Sequence, residues 1–188
     1  WASEIIRKDL GFKGKILLGI LVDEEGLMRG VKHFIRQGWA DGVHAAIICE
    51  PVDNHLCITQ KGALRAELIT SGKMSHGAMP LVGLNPIPPM VSILEKLRHL
   101  EEEEIEIRGK DPFLGFPSIT PTVLQAPVKG EPQVNVLPQQ CRAFLDIRTI
   151  PGQSHEALKK QMEDIVQEEK RSVCESLESG PLREIREA

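Results

Sequence analysis

Lys61-Gly-Ala-Leu-Arg-Ala-Glu-Leu-Ile-Thr70 alternates apolar and polar residues. A period of two is what a strand shows when one face packs on a core and the other meets water. Outward from this segment, Asn85 suits a helix N-cap and Pro86 the first helical position. Val91, Leu94, Leu97 and Leu100 supply that helix with an apolar stripe, and the Glu101–Glu104 run reads as its solvated end. Residues Ser118–Val128 and Cys141–Ile150 read as two further strands. Ser154 caps a second helix with Leu158, Met162, Ile165 and Val166 along one side. Arg171–Leu177 reads as a last strand, and the charged stretch from Gly180 onward as a loose tail. The order β-α-β-β-α-β is the split, ferredoxin-like arrangement, an antiparallel sheet with two helices on one face.

Upstream the pattern changes. Lys15-Ile-Leu-Leu-Gly-Ile-Leu-Val22 and Val43-His-Ala-Ala-Ile-Ile-Cys49 are nearly continuous apolar runs, the mark of strands buried on both faces in a parallel sheet. Between them Leu27, Val31, Phe34 and Ile35 recur at helical spacing and Gly38 closes the segment; Trp1 to Leu10 is also helix-like. A strand-helix-strand crossover brings both strand ends to one sheet edge, where α/β folds bind ligands. Two strands do not make a stable sheet, so this part reads as a piece of a larger layer. The expected organisation is a partial α/β domain over residues 1–58, a complete ferredoxin-like domain over 59–178 and a tail over 179–188, with the boundary near Asn54–Gln60.

The 188 residues carry a net charge of −4, which argues against a nucleic-acid binder with its basic patches. No window of about eighteen apolar residues offers a membrane span. Cys49, Cys57, Cys141 and Cys174 are scattered in or beside apolar runs without a C-x-x-C pair, and read as reduced core thiols of a cytoplasmic protein.

Three carboxylates stand at the expected sheet edge. Acidic pairs are ordinarily solvated surface, but Glu24 and Glu25 follow an apolar run and precede Gly26, where the chain turns. Neighbours at a strand end point to different sides, so one carboxylate suits a metal ligand and the other a general base towards water. Glu50, before Pro51, comes at the matching end of the second run and suits a second ligand. Oxygen-rich ligation joined by a histidine suits zinc, cobalt or manganese. His76 lies in the Gly- and Pro-framed loop Gly72-Lys-Met-Ser-His-Gly-Ala-Met-Pro80, where spacing alone leaves surface and functional readings open. The same holds for Asn135, and Arg148 by itself is a strand cation with Asp146 as same-face partner.

Taken together, Asp23-Glu-Glu-Gly26, Glu50-Pro51, Lys61-Gly62-Ala63, Ser75-His-Gly-Ala-Met-Pro80, Gly83-Leu-Asn85, Asn135-Val-Leu-Pro138 and Asp146-Ile-Arg148 with Pro151-Gly152 resemble the M20 family of metallopeptidases and amidohydrolases. The resemblance runs from Gly14 to about Lys170. It implies an α/β fold: a zinc-peptidase-like domain, here partial, plus an inserted α+β ferredoxin-like lid through which homodimers form. It implies two zinc ions per complete active site and a small N-acyl amino acid or peptide as substrate. By position, Glu24 resembles the general base, Glu25 and Glu50 ligands to the two zincs, and His76 the lid histidine that stabilises the oxyanion in the partner subunit. Asn135 and Arg148 resemble substrate-holding lid residues, the Arg148 guanidinium being suited to a carboxylate. The chain departs from the family in lacking the upstream His-x-Asp motif, the bridging aspartate and the final histidine, and so supplies two of the five metal ligands implied. The alternative reading is a catalytically empty dimerisation and substrate-clamping module. A third, a ferredoxin-like small-molecule sensor, leaves Asp23-Glu24-Glu25 unexplained.

Overall fold

The computed structural model describes residues 2–9, 11–26, 28–53, 55–176 and 182–187. The expectations at Trp1, Leu10, Leu27, Asn54, Leu177 and Gly180 lie outside these residues. The chain divides into two compact units, Trp1–His55 and Leu56–Ala188.

The second unit is built on a four-stranded sheet. Strand β1 (Gly62–Ser71) pairs antiparallel with β5 (Gln140–Thr149), Ala66 opposite Leu145. Strand β3 (Ser118–Gln125) lies outside β5, and β6 (Leu182–Glu187) outside β1, giving the order β3-β5-β1-β6. In a β-α-β-β-α-β chain this is the ferredoxin-like order. Helices α3 (Ile87–Arg108) and α4 (His155–Ser176) complete the unit. The alternation read in the sequence is the physical cause. Ala66 and Leu68 of β1 and Cys141, Ala143, Leu145 and Ile147 of β5 face the core, while their neighbours stay half-exposed. The core packs these against Met90, Ile93, Leu97 and Leu100 of α3 and Leu158, Met162 and Val166 of α4.

Ser154 caps α4 as the sequence places it, and Asn85 bonds the start of α3 from one residue ahead of Pro86, which holds the cap position. The Ile87 N–H donates to Asn85 Oδ1 at 3.1 Å, and the Ala157 N–H to Ser154 Oγ at 3.3 Å. Buried Thr70 donates from Oγ1 to the Pro86 carbonyl at 2.7 Å, tying the end of β1 to the start of α3.

The expectations for the α3 stripe, the end of α3, the last strand and the cysteines are corrected. The α3 stripe is Met90, Ile93, Leu97 and Leu100, whereas Val91 is 54% exposed and Leu94 half-buried. Glu101–Glu104 do not end α3. The helix runs on to Arg108 because Glu104 is buried and bonded, accepting from Gln153 Nε2 at 2.7 Å and Arg108 Nε at 3.4 Å; Gly109, at φ 68, then stops it. The last strand is β6, within the segment expected to be a tail, and residues 171–176 continue α4 instead. Position beside β1 supplies the pairing, which local composition does not announce. Cys49 and Cys57 are exposed thiols, whereas Cys141 is buried and its burial pushes the thiol pKa up.

A polar seam joins the two helices. Lys96 Nζ lies 3.2 Å from Glu169 Oε2 and 3.4 Å from Glu168 Oε1, and Ser92 Oγ donates to Glu169 at 2.7 Å. Burial pushes the Lys96 ammonium down, but its bonds to Glu169 and Glu168 outweigh this and the net direction is up. A raised folded value stabilises below the unfolded lysine value of ~10.4 and is lost as pH climbs through the folded one. Lys96→Met removes the cation from the buried Glu169 carboxylate, leaving it the Ser92 hydroxyl, and is expected to cost about 1–2 kcal/mol in urea unfolding at neutral pH. The gap to the parent protein should close above the ordinary lysine range; a gap independent of pH would contradict the pairing.

The first unit holds α1 (Ala2–Asp9) and α2 (Arg29–Arg36). The runs 15–22 and 43–49, expected as buried strands, form no strand among the described residues, and Ile20 (94%) and Ile47 (86%) are open to solvent. A parallel pair needs neighbours on both sides to satisfy its backbone groups and cover its faces, and the described residues supply none.

Candidate functional site

In the first unit, Glu24, Glu25 and Gly26 form the turn that leads to α2, and both glutamates are exposed. Asp23 sets this turn. Its backbone is left-handed (φ 63), and its carbonyl accepts from the Met28 N–H at 2.9 Å. Its Oδ2 accepts from Arg29 Nε at 2.7 Å and Arg29 N at 3.3 Å, which raises the Arg29 guanidinium pKa further. The first acid of Asp23-Glu-Glu-Gly26 is therefore spent on the helix start, and the two that follow it are exposed. Glu50 is exposed before Pro51, its carbonyl accepting from the Val52 N–H at 3.0 Å. Among the described residues no three His, Cys, Asp or Glu side chains gather as a metal site. The carboxylates present do not by themselves fit the two-zinc centre the resemblance implies.

In the second unit the structure brings two of the candidate residues together. Strand β2 (Ser75–His76) pairs antiparallel with β4 (Val136–Leu137), placing His76 opposite Val136. Asn135, just before β4, lies with its side-chain amide 3.3 Å from His76 Nε2. The Gly77 N–H donates to the Asn135 carbonyl at 2.6 Å, and Lys73 and Leu84 exchange backbone bonds of 2.8 and 2.9 Å that close the loop behind His76. Fifty-nine residues of sequence separation are thus reduced to one contact by a two-residue ladder.

Arg148 sits elsewhere on the unit, on the half-exposed face of β5. Its Nε donates to Asp146 Oδ2 at 2.8 Å, the same-face pairing the sequence offers. Asp146 Oδ1 lies 4.0 Å from Arg65 Nε of β1, so one carboxylate stands between two guanidinium groups. The strand register puts Arg65 directly opposite Asp146. Sequence reading missed Arg65, Gly77 and Ala78; the register of β1 against β5 was the signal for the first.

The family model described as the M20 peptidase dimerisation domain matches residues 58–174, well over half of the chain. An acetylornithine deacetylase from Myxococcus xanthus is 31% identical over 83% of this chain and 40% of its own length. A succinyl-diaminopimelate desuccinylase from Rickettsia akari is 29% identical over 87% of this chain and 43% of its own. Among solved structures, an M20 family metallo-carboxypeptidase from Sulfolobus solfataricus aligns over 58% of this chain and 35% of its own, with 18% identity and a TM-score of 0.43. This chain thus spans less than half the length of the curated relatives it matches. With the family match lying over β1, β3 and β5 and the two long helices, the chain belongs to the M20 peptidase dimerisation-domain family.

Proposed function

We propose that this chain is the middle portion of a cytoplasmic, metal-dependent amide hydrolase of the M20 group, one that removes an acyl group from an N-acyl amino acid or cleaves a short peptide. The observation that carries the reading is the family match over residues 58–174 together with the apposition of His76 and Asn135 through β2 and β4. In this reading His76 donates a hydrogen bond to the carbonyl oxygen as it gains charge, an interaction typically worth about 3 kcal/mol in the transition state. Asn135 holds the substrate beside it. Arg148 binds the free carboxylate; its bond to Asp146 uses Nε, so the forked Nη edge is the one turned to a ligand. Glu24 serves as the base that takes a proton from water. Glu25 and Glu50 would be donors to separate zinc ions, with cobalt or manganese as substitutes, and the remaining ligands lie beyond this chain.

The second reading is a module that only dimerises and clamps substrate. It is favoured by the position of the family match, which leaves Glu24, Glu25 and Glu50 outside it. Either way, pairing is proposed to run through the second unit as a two-fold, isologous contact. The open edge of β3, with Val123 and Leu124 exposed, and the outer surface of α3 at Val91 are the available faces.

The substrate reading is tested in the longer protein with matched N-acyl amino acids bearing a free or an amidated carboxylate. The free acid is expected to show a KM at least about tenfold lower, one charge-assisted contact. The advantage should vanish in Arg148→Ala. Equal KM values in the parent protein would remove Arg148 from the substrate site.

A further inference from the structure

The two ring nitrogens of His76 face different groups. Nδ1 lies 3.1 Å from the backbone N of Ala78, and Nε2 lies 3.3 Å from the Asn135 amide. A neutral imidazole has one N–H donor and one acceptor nitrogen, so these two neighbours decide where the proton sits.

The Ala78 amide is a donor that does not rotate. Its peptide is held on one side by the Gly77 N–H bond to the Asn135 carbonyl (2.6 Å) and on the other by the Met79 N–H bond to the His76 carbonyl (2.8 Å). A proton on Nδ1 would set two N–H groups against each other at 3.1 Å. Nδ1 is therefore the acceptor and the proton belongs on Nε2. The consequence falls on Asn135. With Nε2 protonated, an amide nitrogen facing it at 3.3 Å would also be donor against donor. A half-turn of the Asn135 amide exchanges nitrogen for oxygen in the same volume and removes the conflict.

We infer that the Ala78 backbone amide locks His76 as the Nε2–H tautomer and that Asn135 meets this N–H with its Oδ1, so the pair is a single aimed donor covered by an exchangeable acceptor. This deepens, and for its catalytic meaning rests on, the proposed reading that His76 meets the substrate carbonyl. A substrate oxygen takes the place of Asn135 Oδ1 on the N–H, and the Asn135 amide is then free to turn its own N–H groups to substrate. A neutral histidine suffices for this, and no proton has to be taken up first. Ala78 and Gly77 are positioning residues. A Cβ at Gly77 would meet the Asn135 carbonyl oxygen at 3.2 Å, a tight contact that the Asn135 backbone could relieve only by moving back a few tenths of an ångström, so glycine favours this close approach.

The test uses the unaltered 188-residue chain, labelled with nitrogen-15, at a pH about two units above the ordinary histidine value of ~6.5. Long-range proton–nitrogen spectra report the state of each ring nitrogen, and a through-hydrogen-bond nitrogen–nitrogen coupling experiment reports the Ala78 contact. The expected result is an unprotonated Nδ1 and a protonated Nε2 without averaging, with a cross-peak from the Ala78 amide nitrogen to His76 Nδ1. The pattern should persist in Asn135→Leu, because Ala78 sets it. A protonated Nδ1, averaged ring nitrogens, or a tautomer that changes in Asn135→Leu would overturn the inference. The catalytic reading fails separately: full turnover of His76→Ala in the longer enzyme would refute the oxyanion role while the spectra still decide the tautomer.

Discussion

The 188-residue chain, assayed with added zinc against N-acetyl and N-succinyl amino acids, is expected to show no turnover at ordinary enzyme rates of about 1 per second or more. The reason is ligand count and geometry. The chain offers Glu25 and Glu50 where the resemblance implies five ligands, and no three potential donors gather among the described residues. Two carboxylates without an imidazole bind a divalent ion weakly, and ligands must be held together before binding energy is gained. The rest of the machinery does not compensate, since an oxyanion donor such as His76 is worth only about a hundred- to a thousandfold of a typical acceleration of at least a millionfold. Turnover at enzyme rates by the chain alone would refute the placement of its missing ligands outside it.

In the longer enzyme the largest single-residue effect is expected at Glu24. Glu24→Gln keeps the shape and the turn but removes the base, and turnover should fall by about 10²–10⁴-fold. Substrate affinity and metal content should survive. The structure supports testing Glu24 and not Asp23, because Asp23 is engaged by Arg29 at the start of α2 while Glu24 is exposed one residue on. Loss of bound metal in Glu24→Gln would instead make it a ligand and exchange its role with that of Glu25.

The second unit was the legible part of the sequence, and the reason is local. Strands β1 and β5 each put one face on the core and one towards solvent, so burial writes a period of two into 62–71 and 140–149. Asn85 and Ser154 bond helix starts only two or three residues ahead, so they too are readable in the order of residues. What was misread depends on distant partners. Glu104 looks solvated beside its acidic neighbours and is buried because Gln153, forty-nine residues later, reaches it. Residues 182–187 look like a charged tail and become a strand because β1 has an edge to fill. The runs 15–22 and 43–49 carry the apolar character of covered strands, and nothing among the described residues covers them. The candidate site divides in the same way. The Asp146–Arg148 pair is two residues apart and could be read directly. The contact of His76 with Asn135 hangs on a two-residue ladder, too short for any period, and only the family resemblance pointed to both residues.

Residues 56–188 are proposed to be a folded unit that pairs with a second copy of itself. Sedimentation of a variant lacking residues 1–55 tests it directly, since that unit keeps the whole sheet, both long helices and their core while the exposed apolar runs of the first unit, which could associate without specificity, are gone. A discrete dimer at micromolar concentration is the expected result. A variant that stays strictly monomeric there would contradict it, and would take away the basis for placing His76 in a partner's active site.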